Sequence, residues 1–354
     1  MTTAVILYNL GGPDRPEDVQ PFLFNLFKDP MIIGAPAPIR WALAKVISKR
    51  RAPIAREIYA HIGGGSPLLA NTRAQAEALE AVLNAGGGET FACHVAMRYW
   101  HPMCDAVMDA VIATKPDRIV LLPLYPQFST TTVGSMMRVW EITARKRHLD
   151  IPVTALCCYP THPGFVEAVA ERLETALTAA STPSEGQRIL FSAHGLPKQI
   201  VDGGDPYQWQ VEQTARAVVD AMASEPALPD IADWQVCYQS RVGPLEWIGP
   251  STEEELERAA RDGVAVVVVP IAFVSEHSET LVELDIEYRA EAEKLGVLGY
   301  VRVPAVGTEP AFISGLADVA GGISARGGEL TCGLGSGARV CPAAHGRCAM
   351  TAGG

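Results

Sequence analysis

Apolar residues are distributed along this chain in two alternating patterns. Short runs, several of them apolar throughout, occupy 4–8, 118–122, 153–157, 188–191, 235–238 and 264–269. A strand covered on both faces shows no polar alternation, so these runs read as buried strands. Longer stretches between them carry apolar residues at helical spacing, and 71–83, 252–261 and 281–295 read as helices. Asn71 is placed to cap the first of these. Strand–helix alternation predicts an α/β fold with parallel sheets.

The pattern also repeats weakly. Ile6-Leu7-Tyr8-Asn9-Leu10-Gly11-Gly12-Pro13 is echoed by Ile189-Leu190-Phe191-Ser192-Ala193-His194-Gly195-Leu196-Pro197, and Leu121-Leu122-Pro123-Leu124 by Val268-Val269-Pro270-Ile271. The simplest reading is two similar α/β halves. Their boundaries are expected at 1–155 and 156–315, with the Gly-, Ala- and Cys-rich segment 316–354 as an extension that needs something to order it. In such folds ligands bind beyond the carboxyl ends of strands, so the polar clusters that follow the strands are where chemistry is expected.

Composition narrows the classes. The 354 residues carry a formal net charge of −11, which argues against a nucleic-acid binder. The apolar run at 4–8 is too short for a signal peptide and has no basic residue before it. The run at 263–274 falls well short of the ~20 residues of a membrane span and contains Pro270. A cytoplasmic protein is expected. Of the eight cysteines, three lie beyond Thr331. In a reducing compartment such clustering points to a metal centre rather than to disulfides.

Two polar clusters carry candidate chemistry. In the first, the strand at 188–191 leads into Ser192-Ala193-His194-Gly195-Leu196-Pro197, where Gly195 and Pro197 impose a turn behind His194. A histidine there is often structural, and the Ser-x-His order is not that of a hydrolase nucleophile elbow. In the second, Ser275-Glu276-His277-Ser278-Glu279-Thr280 opens a helix, with Glu276, Glu279 and Glu283 at helical spacing as an acidic ladder. Dipole stabilisation accounts for Glu276 and Glu279 but not for His277. A histidine among acids can hold a divalent cation or move protons.

Taken together, these two clusters resemble the ferrochelatase family. The resemblance extends through Asn9-Leu10-Gly11-Gly12-Pro13, Ile62-Gly63-Gly64-Gly65-Ser66-Pro67, Arg98-Tyr99-Trp100-His101-Pro102 and Tyr125-Pro126-Gln127-Phe128-Ser129. It continues through Gly204-Asp205-Pro206-Tyr207 and Gln239-Ser240-Arg241-Val242-Gly243-Pro244, in order, over most of the chain. It implies two Rossmann-like domains with a porphyrin cleft between them, and insertion of Fe2+ as the activity. His194 and Glu279 would face each other across that cleft as catalytic residues and ligands of the incoming iron, with His277 beside them. Asn9, Tyr59, Ser66, Arg98, Trp247 and Phe273 would surround the porphyrin, and Glu276 and Glu283 would form the acidic path. For Arg98 an internal ion pair, and for Phe273 a plain core position, are the alternatives. Protoporphyrin IX is the expected substrate. Coproporphyrin III, a porphyrin or haem carrier without turnover, and a two-domain solute-binding protein are the alternatives.

The segment 21–51 mixes Phe22, Leu23, Phe24, Leu26, Phe27 and Trp41 with Arg40, Lys45, Lys49, Arg50 and Arg51. A basic–apolar patch in an acidic protein suits an anionic membrane surface. The alternative is an amphipathic helix packed on its own domain. The resemblance favours a lip that touches the membrane peripherally. Some ferrochelatases hold a [2Fe–2S] cluster with three C-terminal cysteines and one from the N-terminal half. Here Cys332, Cys341 and Cys348 match in number. The position of the fourth ligand falls near Ala168, so Cys158 is expected to serve, with Cys157 as the alternative. The partners implied are thus protoporphyrin IX, Fe2+, a membrane surface and, left open, a second copy of the chain.

Overall fold

The computed structural model describes residues 1–179, 186–224, 231–241, 243–326, 329–334 and 337–350. It divides into two compact units, one comprising Met1–Cys158 and Leu316–Arg339, the other Tyr159–Gly315 and Val340–Thr351. Residues beyond 316 are therefore shared between both units, where the sequence pattern had suggested a separate extension.

The first unit runs β1 (Thr2–Asn9), α1 (Val19–Phe27), α2 (Ala37–Ala60), α3 (Leu68–Ala85), β2 (Thr90–Met97), α4 (Cys104–Thr114), β3 (Arg118–Pro123), α5 (Val133–Lys146) and β4 (Val153–Leu156). The second runs α6 (Pro163–Ala179), β5 (Gln187–His194), α7 (Lys198–Asp202), α8 (Tyr207–Ala223), β6 (Trp234–Gln239), α9 (Thr252–Asp262) and β7 (Ala265–Pro270). A π-helix (Glu279–Glu287), α10 (Tyr288–Leu295), β8 (Tyr300–Arg302) and α11 (Pro310–Arg326) follow, and β9 (Glu329–Thr331) closes the order.

Both sheets are parallel, with orders β2-β1-β3-β4-β9 and β6-β5-β7-β8. Their first four strands follow one scheme, with the first strand of each unit in second place. The sequence echo falls on equivalent elements: Ile6–Pro13 on the end of β1, Ile189–Pro197 on the end of β5, and the Pro-containing pair on the ends of β3 and β7. Burial explains the apolar runs. Val5, Ile6 and Leu7 in β1, and Val266 and Val268 in β7, are fully buried. Each such side chain contributes on the order of 1.5–3 kcal/mol relative to exposure.

The helix at 252–261 is realised as α9. Ser251 accepts from the Glu254 amide while the Glu254 carboxylate accepts from the Ser251 amide, and Gly263 ends the helix in the left-handed region. Two expectations need correction. Asn71 lies inside α3, which begins at Leu68; the Ser66 hydroxyl, not Asn71, accepts a first-turn amide, from Leu68 at 3.3 Å. The stretch 281–295 is not one regular α-helix, because the π-helix replaces its first half. Part of what orders the tail is the sheet itself: β9 pairs in parallel with β4, Thr154 opposite Glu329 and Leu156 opposite Thr331.

The segment 21–51 becomes two packed helices. Val19, Phe22 and Leu23 of α1 join Ala52, Tyr59, Tyr99 and Trp100 in one buried cluster, with Leu26 and Phe27 packed against its side. Exposed apolar residues include Ile32, between the helices, and a set on α2: Ile39 (54% exposed), Trp41 (50%), Leu43 and Val46. Lys45 lies 5.1 Å from the Trp41 ring centroid. Among the described residues, no helix is long and apolar enough to cross a membrane.

Candidate functional site

In the second unit the parallel register collects polar groups at the strand ends. His194 ends β5 opposite Gln239 of β6, and Ser192 lies opposite Pro270, the last residue of β7. The segment that leaves β7 then carries Phe273, Glu276 and His277 into the π-helix with Glu279 and Glu283.

His194 Nδ1 lies 2.6 Å from the Gly195 carbonyl. A carbonyl can only accept, so Nδ1 carries the proton and Nε2 of the neutral ring presents a lone pair. That Nε2 is 3.9 Å from Glu279 Oε1, and both side chains are about one-third exposed. Gly195 leaves little room behind the histidine: a Cβ there would stand 3.0 Å from the Gln239 carbonyl and 3.2 Å from Trp247 Cε3. Trp247 is thereby placed against the His194 turn. Its indole Nε1 is buried with no hydrogen-bond partner among the described residues.

His277 is oriented in the opposite sense. Its Nδ1 accepts the Glu279 amide at 3.0 Å, so in the neutral ring Nε2 carries the proton. Burial holds its pKa below the ordinary histidine value, against the opposing charges of Glu279 and Glu276. Phe273 packs edge-on to it, ring centroids 4.5 Å apart.

The acids do not form one uniform ladder. Glu276 precedes the π-helix, and its Oε1 accepts from Arg302 Nη1 (2.7 Å) and the Ala305 amide (2.9 Å). Glu283 accepts from the Ser240 amide (2.8 Å), the Ser240 hydroxyl (2.5 Å) and Gln239 Nε2 (2.9 Å). The Gln239 amide is held in that sense because Ser192 Oγ donates to its Oε1 at 2.8 Å. Despite these donors, burial first and the Glu279 charge second push the Glu283 pKa up from 4.5 to about 6. Tyr207 is buried beside this group, its pKa raised mainly by burial and then by Glu279.

The first unit holds the other expected porphyrin contacts. Asn9 ends β1, donating to Thr72 Oγ1 at 3.2 Å and accepting from the Leu10 amide at 2.8 Å. Ser66 packs on Gly12, where a Cβ would come within 2.5 Å of it and within 3.9 Å of the Tyr59 hydroxyl. Asn9, Tyr59 and Ser66 thus gather around the Leu10–Pro13 turn. Arg98 is engaged internally: Nη2 pairs with the buried Asp29 at 2.6 Å and Nε donates to Ser135 at 2.7 Å. Tyr99 and Ser135 donate to the same Asp29 oxygen.

Among the cysteines, Cys158 and Cys332 bring their sulfurs within 3.8 Å in the first unit. Cys157 is also buried, its amide bonded to the Thr331 carbonyl. Cys341 and Cys348 belong to the second unit and are buried, and Cys341 Sγ accepts from Gln210 Nε2 at 3.0 Å. Among the described residues, no group of three or more His, Cys, Asp or Glu side chains is arranged to hold a metal.

Sequence reasoning gave no role to Ser192, Tyr207, Gln239, Ser240 or Arg302. Gln239-Ser240 belongs to one of the motifs that carry the resemblance, and its place at the end of β6 is the available signal. The left-handed backbone of Ser240 (φ 62°), which aims its amide and hydroxyl together at Glu283, was not legible. Val242 of that motif lies outside the described residues.

The sequence matches the family model for Ferrochelatase over residues 2–321. The ferrochelatase of Caulobacter vibrioides is 54% identical over 315 residues, 89% of this chain and 88% of that protein. The ferrochelatase of Phenylobacterium zucineum is 50% identical over 355 residues, 100% of this chain and 99% of that protein. Among solved structures, SirB from Bacillus subtilis with Fe3+ superposes with a TM-score of 0.52 at 13% identity, covering 90% of this chain and 93% of that one. That likeness is one of fold.

The raised Glu283 pKa gives a signed expectation. Between pH 4.5 and about 6 the unfolded chain has released this proton while the folded chain retains it, so stability falls as pH rises through that window. Above it the cost is constant. Urea unfolding of wild type and Glu283→Gln should therefore show wild type losing stability relative to the variant across this interval. A stability difference that stays constant with pH would contradict the raised pKa.

Proposed function

The chain belongs to the ferrochelatase family, enzymes that insert ferrous iron into a porphyrin, and we propose that its porphyrin is protoporphyrin IX and that His194 and Glu279 carry the reaction. The observation behind the catalytic assignment is the geometry of His194, whose Nδ1 is held 2.6 Å from the Gly195 carbonyl and whose Nε2 faces Glu279 Oε1 at 3.9 Å.

The physical problem is to remove two pyrrole protons while a hydrated dication enters a flat ring. A neutral histidine accepts a pyrrole proton through Nε2. Glu279 supplies an oxygen ligand that replaces water on Fe2+, an exchange suited to a hard carboxylate. Glu283, held by Ser240 and Gln239, continues the acidic path from Glu279. Trp247 and Phe273 offer apolar contact to a macrocycle. Asn9, Tyr59 and Ser66 are assigned to the porphyrin as well. Arg98 is assigned to hold the Asp29 connection in place rather than to bind a substrate carboxylate directly, since Asp29 already occupies it.

His194→Ala and Glu279→Gln are each expected to lower the insertion rate by about 100-fold or more while porphyrin binding persists. The check is loss of protoporphyrin fluorescence with Fe2+ under anaerobic conditions, run beside coproporphyrin III. Near-wild-type turnover in either variant would remove that residue from the mechanism, and faster turnover of coproporphyrin III would reassign the substrate.

The same reading places α2 against a membrane surface, from which a sparingly soluble porphyrin is taken. Its support is the exposed set Ile39, Trp41, Leu43 and Val46 interleaved with Lys45, Lys49 and Arg50. Trp41→Asp with Leu43→Asp should reduce flotation with anionic liposomes. Binding by wild type should weaken with salt, because surface attraction is screened over ~8–10 Å. Unchanged flotation of the variant would defeat the idea.

Cys158, Cys332, Cys341 and Cys348 are proposed as ligands of a [2Fe–2S] cluster. Two sulfurs on one tetrahedral metal with bonds of ~2.3 Å stand ~3.8 Å apart, and Cys158 and Cys332 have that separation. That spacing supports this one pair as ligands and is the reason Cys158 is chosen here over Cys157. When bound, the cluster would supply metal–thiolate bonds that order a segment poor in large apolar residues. Anaerobically purified protein should be reddish and bleach with dithionite, and serine at any of the four positions should lose the colour. Colourless protein containing zinc would overturn the assignment.

A further inference from the structure

Between residues 276 and 285 the second unit carries four carboxylates: Glu276, Glu279, Glu283 and Asp285. Close-set acids raise one another's proton affinity, and acids that bind metal compete with one another for it. Their backbone support is also uncommon. A π-helix is rare, is found mostly as a single turn, and persists where surrounding contacts enforce it.

Arg302, at the end of β8, meets both ends of this problem. Its side chain is 8% exposed. Nη1 binds Glu276 at 2.7 Å, three residues ahead of the π-helix, while Nε and Nη2 bind Asp285 Oδ2, inside it, at 2.8 and 2.7 Å. Only a planar fork with several donors reaches two carboxylates in this way. The surrounding contacts agree. Arg289 holds the other Asp285 oxygen at 2.9 Å and the Tyr300 carbonyl at 2.8 Å, and the Tyr300 hydroxyl donates to the Leu284 carbonyl at 2.5 Å. Burial raises the Asp285 pKa, but its bonds to Arg302 and Arg289 outweigh burial and leave it below the usual carboxylate value.

We propose that Arg302 is a positioning residue for iron delivery: its fork withdraws Glu276 and Asp285 from the metal and braces the wide turn that presents Glu279 and Glu283. This rests on the reading of Glu279 and Glu283 as the acids that handle iron. Glu276, expected from sequence as part of the acidic path, instead serves as one of the two anchors of the brace.

The test is steady-state insertion by wild type, R302M, R302K and D285N under anaerobic conditions, with Fe2+ and protoporphyrin each varied at saturating levels of the other. R302M should raise the KM for Fe2+ about 10- to 100-fold, the scale seen when a group that orients metal ligands is removed. The KM for porphyrin should stay within about twofold, because that binding is untouched. R302K keeps the charge but not the fork and should recover the Fe2+ KM only in part. If R302M does not fold by circular dichroism, D285N, which leaves Arg302 on Glu276, carries the same Fe2+-specific expectation. An Fe2+ KM within about twofold of wild type in a folded R302M or D285N overturns the proposal. So does an equal rise for both substrates, a fall in kcat alone, or full recovery with lysine. Wild type that turns over normally beside unaffected variants removes Arg302 only, whereas wild type that inserts no iron removes the functional reading itself.

Discussion

The middle of a strand covered on both faces favours apolar side chains, and the arrangement of this protein follows from that constraint. β1, β5 and β7 are buried along nearly their whole length and apolar through their middles, so their polar residues gather at the strand ends, and those at the carboxyl ends are set side by side by the parallel arrangement. Asn9, the Ser192–His194 pair, Gln239 and the Ser275–Glu279 segment are all products of this displacement. The chemistry sits on residues that the packing excludes from the sheet interior, and the register of the sheet fixes which of them become neighbours.

Carboxylates on one short segment are then sorted by their partners. Glu276 and Asp285 meet a guanidinium, Glu283 meets neutral amide and hydroxyl donors, and Glu279 stands near a histidine nitrogen 3.9 Å away. Guanidinium contact occupies both carboxylates, and for Asp285 it outweighs burial and keeps the pKa below the usual carboxylate value. For Glu283, burial and then the Glu279 charge raise the pKa to about 6, against the lowering effect of its neutral donors Ser240 and Gln239. One local acidic sequence therefore yields three electrostatic environments, set by burial, by the neighbouring Glu279 charge and by partners from outside the segment such as Gln239, Ser240 and Arg302.

Much of this was legible in the sequence. The apolar runs located β1, β3, β5 and β7, and the echo between Ile6–Pro13 and Ile189–Pro197 marked equivalent strands in two like sheets. What escaped notice was short or mixed. β8 and β9 have only three residues each, and β2 interrupts its apolar pattern with Cys93 and His94. The acidic ladder was read with α-helical spacing, a sound inference from the local pattern that fails because bonds from Arg302, Arg289 and Tyr300 support a wider turn. Arg98 illustrates the same limit. Its type suited a substrate carboxylate, and only the fold reveals Asp29, almost 70 residues earlier in the chain, as the carboxylate it meets.

The pairing of β9 with β4 has a consequence for the order in which the protein is made. A chain leaving the ribosome completes β1 to β4 early, yet the partner of β4's outer edge is encoded after the whole of the second sheet. Ser324, which donates to Glu89 near the start of β2, arrives just as late. The first unit is thus begun first and finished last. While residues 187 to 302 are being synthesised and assembled into their own sheet, the nascent first unit carries a bare strand edge of the kind that templates unwanted pairing. Any pause in translation between these two points prolongs that exposure, so the segment from Ser324 to Thr331 acts as the closing step for a sheet whose first strand is β1.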